Sequence, residues 1–413
     1  MEEVKLGTLT NRKIGYGIVQ PGASVPHGIP VIKVNNIISG LRNIRDLDTT
    51  SIENDKEYSR TKLKGGELIV SVVGTIGRTA IVPMNFVGCN LVRATALIDI
   101  PDVQMSKWVK YYIDSPKGQN YIRENLNTTV QPTLNVKSLV EMPIPVYSTQ
   151  YMQKAIEILG DLDDKIELNR RINDNLEQQA QALFKSWFVD FEPFKDGVFV
   201  ESELGMIPKG WRVGTIGDYC NVRSGFAFKS SWWTKGGVEV IKIKNITDNG
   251  KLDMSDCTFV SEEHSKLAQE FISKPGDLII AMTGATIGKF CIINSLKPYC
   301  INQRVGKFFL GENPTSKLPF IYCLLKTPVV IEEIINRGQG SAQPNISGKD
   351  IESIDIILPP ENILLNFNKM LYDLFEKIIN NDNTTVLLEN LRESLLPRLM
   401  SGELKVNEIE NLV

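Results

Sequence analysis

A long-period internal repeat limits the possible folds of this chain more than any other feature. Lys64-Gly65-Gly66-Glu67-Leu68-Ile69-Val70-Ser71 matches Lys274-Pro275-Gly276-Asp277-Leu278-Ile279-Ile280-Ala281. Gly74-Thr75-Ile76-Gly77-Arg78 answers to Gly284-Ala285-Thr286-Ile287-Gly288-Lys289, with one inserted residue. Upstream, Val31-Ile32-Lys33-Val34-Asn35-Asn36-Ile37 pairs with Val240-Ile241-Lys242-Ile243-Lys244-Asn245-Ile246, and downstream Gln131-Pro132-Thr133-Leu134-Asn135 pairs with Gln343-Pro344-Asn345-Ile346-Ser347. The matches are collinear at an offset that drifts only from 209 to 212. Solenoid repeats run at roughly 20 to 50 residues, so a period this long means a duplicated domain.

Each copy divides in two. The first parts, 1–149 and 195–360, hold short β-rich runs such as Leu68 to Val73 and Leu278 to Ala281, punctuated by Gly, Pro and Asn and interrupted by helical stretches such as Ser106 to Ile113. The second parts, 150–194 and 361–413, read as long helices. Leu159, Leu162, Ile166, Asn169, Asn173, Leu176, Ala180, Leu183 and Trp187 fall at alternating spacings of three and four. Leu371, Leu374, Ile378, Asn381, Thr385, Leu388, Arg392, Leu395 and Leu399 repeat that seam. Two equivalent seams in one chain offer each other a matching surface. The expected fold class is therefore α+β: two similar α/β domains separated by two long helices that form an antiparallel intramolecular coiled coil with a pseudo-two-fold. Asn169 and Asn381 occupy equivalent seam positions and would fix its register.

Composition excludes several classes. No run approaches the roughly 18 to 20 apolar residues of a membrane helix, and Met1-Glu2-Glu3-Val4-Lys5 lacks the pattern of a signal peptide. The six cysteines include no Cys-x-x-Cys pair and read as reduced thiols of a cytoplasmic protein, and two histidines are too few for a His-built metal site. The net charge of −3 is unevenly placed: 1–149 carries +4 and 195–360 carries +1, whereas the two helical parts carry −4 each.

Catalytic motifs are missing. Gly284 to Lys289 lacks the four-residue gap of a phosphate loop, and Phe290 stands where its Ser or Thr would be. A tight turn between strands accounts for its glycines. The single Pro-Pro, Pro359-Pro360, follows Leu358 and precedes Glu361, unlike the Asn- or Asp-Pro-Pro-aromatic motif of adenine methyltransferases. No Gly-x-Gly-x-x-Gly fingerprint opens a helix, and no carboxylate cluster suits a metal-dependent nuclease.

The junction Ala182-Leu183-Phe184-Lys185-Ser186-Trp187-Phe188-Val189-Asp190-Phe191-Glu192-Pro193-Phe194 runs into Glu201-Ser202-Glu203-Leu204-Gly205-Met206-Ile207-Pro208-Lys209-Gly210-Trp211. With the glycine turns, the Gln-Pro loops and the ending Leu396-Pro397-Arg398-Leu399-Met400-Ser401-Gly402-Glu403-Leu404, it resembles the specificity subunit of type I restriction-modification systems over nearly the whole chain. The resemblance implies two target recognition domains, two spacer helices, and a split, asymmetric target in double-stranded DNA. It also implies two modification subunits that methylate adenine with S-adenosylmethionine, joined in some complexes by a restriction subunit that uses ATP and Mg. On this reading no cofactor is bound by this chain. A helix of about 38 residues is roughly 57 Å long, more than one turn of B-DNA, roughly 34 Å.

Candidate DNA contacts follow from residue type and place. Lys33, Asn35 and Asn36, with Lys242, Lys244 and Asn245, lie in or just after a strand-like apolar run in each copy. Asn suits adenine and Lys guanine, while turn-closing Asn and solvated Lys are the plain alternative. Arg78 and Lys289 end the glycine turns and can reach phosphate. Arg93 and Arg304 match in the repeat and either hold phosphate or make a structural ion pair. The polar loops contribute Thr128, Thr129, Gln131 and Thr133 in one copy and Gln339, Ser341, Gln343 and Asn345 in the other. Tyr16 and Phe226 lie beside glycines, with Lys229 close by, and either touch a base or pack in the core. Trp187, Phe188, Leu399 and Met400 end the two helices, where they dock a modification subunit or pack helix on helix.

Overall fold

A computed structural model describes residues 2–41, 43–127, 131–339 and 344–404. The chain forms two units: Met1–Asp164 with Leu388–Val413, and Lys165–Leu387. The matched repeats cover 1–149 and 195–360, and each unit also takes a segment of both long helices.

In the first unit, a four-stranded antiparallel sheet runs in the order Gly15–Tyr16, Thr95–Ile98, Leu68–Ser71, Thr79–Ile81. Leu68 to Ser71 carry no polar alternation because both faces of this strand are covered. Leu68 and Val70 join the core under helix Val103–Asp114 with Trp108 and Tyr112. Ile69 and Leu97 point the other way, into a core with Ile32, Phe86 and Leu91. That second layer is a three-stranded sheet, Asp48–Thr50, Ile29–Ile32, Asn90–Leu91, whose last pair is parallel. Glu2–Lys5 pairs with Pro143–Val146.

The second unit repeats this plan. Asn221–Ser224, Val305–Phe309, Leu278–Ala281 and Phe290–Ile292 form the four-stranded sheet. Leu278 and Ile280 face the core that holds helix Leu318–Leu325, whereas Ile279 and Ala281 face Ile241 and Ile301. Arg212–Thr215 pairs with Asp355–Leu358, as the terminal pair does in the first unit. A hairpin, Phe199–Ser202 with Gly205–Pro208, precedes it.

The two long helices are Thr149–Phe188 and Glu361–Ser401, of 40 and 41 residues. Their segments pack antiparallel in both units. In the first, the Tyr151 hydroxyl donates to Leu399 O at 2.9 Å and Arg392 Nη1 donates to Asp163 Oδ1 at 2.7 Å. In the second, Asn381 Nδ2 donates to Asn173 Oδ1 at 2.9 Å, and Asn169 Nδ2 donates to Thr385 Oγ1 at 3.4 Å. The repeat offset of 212 carries Asn169 onto Asn381 and Asn173 onto Thr385. It thus exchanges the 169–385 contact for the 173–381 contact, so this stretch of the helix pair has a local two-fold. All four residues are buried, at 3–5% exposure. Buried amides in an apolar seam select the register in which they satisfy each other.

Candidate nucleic-acid interface

The glycine turns are built by backbone bonds. In the first unit Ser71 Oγ donates to Thr75 O at 2.6 Å and accepts from Arg78 N at 2.9 Å, while Gly77 N donates to Ser71 O. Gly74 and Gly77 take φ of +77° and +83°, the left-handed region that glycine enters freely. Arg78 is left exposed at the turn. In the second unit Ala281 replaces Ser71, and Ala281 N donates to Lys289 O at 2.8 Å. Both turns join antiparallel strands. Lys289, half-buried, pairs with the exposed Asp248, and an ion pair with one partner in solvent adds little to stability.

Two further loops close on each turn. Thr133 bridges to Val73, and Asn345 bridges to Thr283. Leu134 N donates to Val72 O at 2.9 Å, and Ile346 N to Met282 O at 3.0 Å. From the other side, Val72 N donates to Ala94 O and Met282 N to Arg304 O. The same loops hold Arg93 N to Ile18 O and Gln303 N to Phe226 O, both beside parallel bridges. This ladder corrects one sequence match: Arg93 is equivalent to Gln303, and Ala94 to Arg304. Matching the arginines by type slips the register by one residue. The close approach explains two glycines: a Cβ on Gly17 would stand 2.1 Å from Leu91 O, and one on Gly225 2.3 Å from Ile301 O. In the second unit the three loops border a cleft of about 540 Å³, lined by Ser224, Met282, Thr283, Gln303, Arg304 and Pro344 to Ser347.

The expected contacts divide accordingly. Arg78, Arg93, Arg304 and Asn345 are exposed on the converging loops, with Thr133 half-buried among them and Gln131 exposed beside it. Gln339 is exposed at the end of helix Pro328–Gly338. Thr128, Thr129, Ser341 and Gln343 lie outside the described residues. Ser224, Thr283 and Gln303 were not expected; counting residues along the paired strands would have found Gln303 opposite Arg93.

Other candidates have structural work. Asn36 and Asn245 cap helical turns: Asn36 Oδ1 accepts from Lys33 N at 2.7 Å and Asn245 Oδ1 from Lys242 N at 2.9 Å. Asn245 is also buried, with its amide on Asp253 O and Asp256 O, so it is withdrawn as a base contact. Asn35 carries a partner of its own within the protein. Lys33 pairs with Asp48 at 2.6 Å and Lys244 with Asp256 at 2.5 Å, both in solvent. Lys242 lies over the Trp233 ring at 4.0 Å, and burial, helped by the charge of Lys244, lowers its pKa. The Tyr16 hydroxyl is consumed by the backbone, donating to Leu134 O at 3.2 Å and accepting from Val136 N at 2.9 Å. It too is withdrawn as a base contact. The Phe226 ring packs on Phe228 and Trp232 in its own core, and Lys229 stays exposed above Trp232.

The helix ends are corrected as well. Phe188, Leu399 and Met400 are buried at 6%, 0% and 3% exposure. Phe188 and the half-buried Trp187 pack on Phe367, while Leu399 and Met400 complete the first unit's core. Apolar residues at a helix end sit where the globular part meets it, and the core takes them before any partner can. Among the described residues no cluster of His, Cys, Asp and Glu could hold a metal, and no helix is long and apolar enough to cross a membrane.

A duplicated α/β frame that converges basic and amide side chains on loops defines a protein of recognition. The model described as type I restriction modification DNA specificity domain matches residues 2–178 and again 208–392. The chain belongs to that family and is a specificity subunit, a part that selects sequence and does not catalyse. It is similar to the type I restriction enzyme MjaIX specificity subunit of Methanocaldococcus jannaschii, with 32% identity over 75% of this chain and 71% of that one. The HindI specificity subunit of Haemophilus influenzae is 28% identical over 67% of this chain and 72% of its own. A crystal structure of a type I restriction-modification system S subunit from M. genitalium shares the fold, with a TM-score of 0.54 over 96% of this chain and 95% of that chain at 17% identity.

Proposed function

We propose that this chain reads a split, asymmetric target in double-stranded DNA, one half-site per unit, and positions two adenine methyltransferase subunits on it. One observation carries this reading: both units bring the same three loops together on the same backbone bonds, yet present different side chains there. Arg93 and Ala94 in one unit answer to Gln303 and Arg304 in the other. One frame with two sets of side chains is what an asymmetric target requires. Arg78 and Lys289 supply the phosphate contacts that position a reader, and groove-facing side chains supply the specificity.

The unread gap between half-sites follows the length of the long helices, about 60 Å each at 1.5 Å per residue. Two methyltransferases, one for each half-site, each meet an adenine on its own strand. S-adenosylmethionine belongs to those partners, which must extrude the base they methylate. ATP and Mg belong to a restriction subunit where one joins. The setting for such a complex is the cytoplasm.

Co-expression with the partner methyltransferase, followed by a map of methylated adenines, tests the reading. A motif in two parts with a fixed unread gap is expected. Deleting one heptad from each long helix should change the tolerated gap and leave both half-sites intact. A single continuous motif, or half-sites that change with helix length, would overturn it.

A further inference from the structure

The two units differ in side-chain volume at one place on their shared frame. Strand pairing sets Tyr16 opposite Ala96 and Ser224 opposite Gly306, so Tyr16 and Ser224 are equivalent. In the first unit the Tyr16 side chain crosses to the loop after Pro132 and ties its hydroxyl to Leu134 O and Val136 N. In the second unit the side chain is a serine, and the equivalent gap is the cleft of about 540 Å³. Arg304 and Gln303 line one side and Asn345 another, all three exposed. Between them Thr283 Oγ1 is buried and has no hydrogen-bond partner among the described residues. A buried hydroxyl is costly to leave unmatched. An Arg, which donates, and an Asn, which both donates and accepts, are the groups that pair with base edges in the major groove.

Resting on the reading above, we propose that the second unit reads a purine edge of its half-site through this cleft. Arg304 donates to a guanine, and Ser224 is the residue whose small size admits the DNA. Tyr16 closes the same route in the first unit, which must read with other side chains, Arg93 among them. The half-sites then differ in mode of reading as well as in letters.

The test uses the full chain with its methyltransferase, and the wild-type methylation map comes first. A split motif there upholds the function above, whatever the variants do; a continuous one fails it before the cleft is in question. Against that map, Arg304→Ala should relax one guanine position of one half-site, losing roughly 5- to 150-fold in discrimination. Ser224→Tyr should depress methylation through the same half-site and leave the other unchanged. Arg304 is exposed, so its variant tests the cleft even if Ser224→Tyr folds poorly. An Arg304→Ala protein with the wild-type motif and rate would overturn the proposal, as would a Ser224→Tyr change that alters both half-sites equally.

Discussion

Replacing Asn381 with leucine should destabilise the second unit by an amount set by one atom, Oδ1 of Asn173. That oxygen accepts from Asn381 Nδ2 at 2.9 Å, and the two residues are 3% and 5% exposed. Leucine removes the donor and brings nothing in its place, so the carbonyl stays buried without a partner. Such a group costs about 1–3 kcal/mol. For a domain of 150 to 250 residues each kcal/mol moves the melting midpoint by roughly 2–4 °C, so a fall of about 2–12 °C is expected. Asn173→Leu should cost at least as much, because Asn173 Nδ2 also serves Ile378 O and Asp382 Oδ1 at 3.0 and 3.1 Å. In the double variant the mismatch disappears and two leucines face each other. Its loss should therefore be smaller than the sum of the singles by about 0.5–3 kcal/mol. Thermal and denaturant unfolding of the four proteins, followed by circular dichroism, completes the cycle. If Asn381→Leu unfolds with the wild type, or if the two losses simply add, the amides do not act as a matched layer and the register argument fails.

Two further outcomes follow from burial. Cys89, Cys220, Cys291 and Cys300 are pushed by burial from the ordinary thiol value of 9.0 to about 11 or 12, and Cys323 is pushed up as well. An alkylating agent at neutral pH should label Cys257, the half-exposed thiol, before the other five, which react on unfolding; rapid native labelling of all six would contradict the packing. The linked pH effect has a definite sign. Below pH 9 folded and unfolded thiols both hold their protons. Above it the unfolded thiols ionise first, so stability falls by about 1.4 kcal/mol per pH unit per thiol until pH reaches the folded values near 11–12. Stability that rises between pH 9 and 11 would count against it. Separately, Gly17→Ala should destabilise the first unit by about 1–3 kcal/mol, because its Cβ meets backbone. Gly15→Ala, whose nearest neighbour would be Lys13 O at 3.9 Å, should be close to neutral in the same melt.

The chain showed its frame plainly and its reading surface only in part, and the physical reason is the range over which each signal acts. The helix seams were legible because burial repeats every three or four residues, so Ile166, Asn169, Ile378 and Asn381 announce one face over many turns. Leu68 to Ser71 were legible as a strand, though their double burial needed the second sheet to explain it. Loop residues carry no such period. Asn36 and Asn245 look the same in sequence whether they cap a turn or face DNA, and the capping bonds to Lys33 N and Lys242 N decide. Phe188, Leu399 and Met400 are apolar at helix ends, which fits a partner or a core equally until neighbouring rings are placed. The Arg93 and Arg304 match failed for a related reason: identity of type outweighed a one-residue slip that the Ile18 and Phe226 bridges and the bonds to Ala94 O and Arg304 O reveal. Once that ladder is set, Tyr16 is equivalent to Ser224, and a difference in side-chain volume becomes a difference between a bridged gap and an open cleft. One side chain that spans two loops therefore decides whether the gap is bridged or open, while the backbone bonds around it are the same in both units.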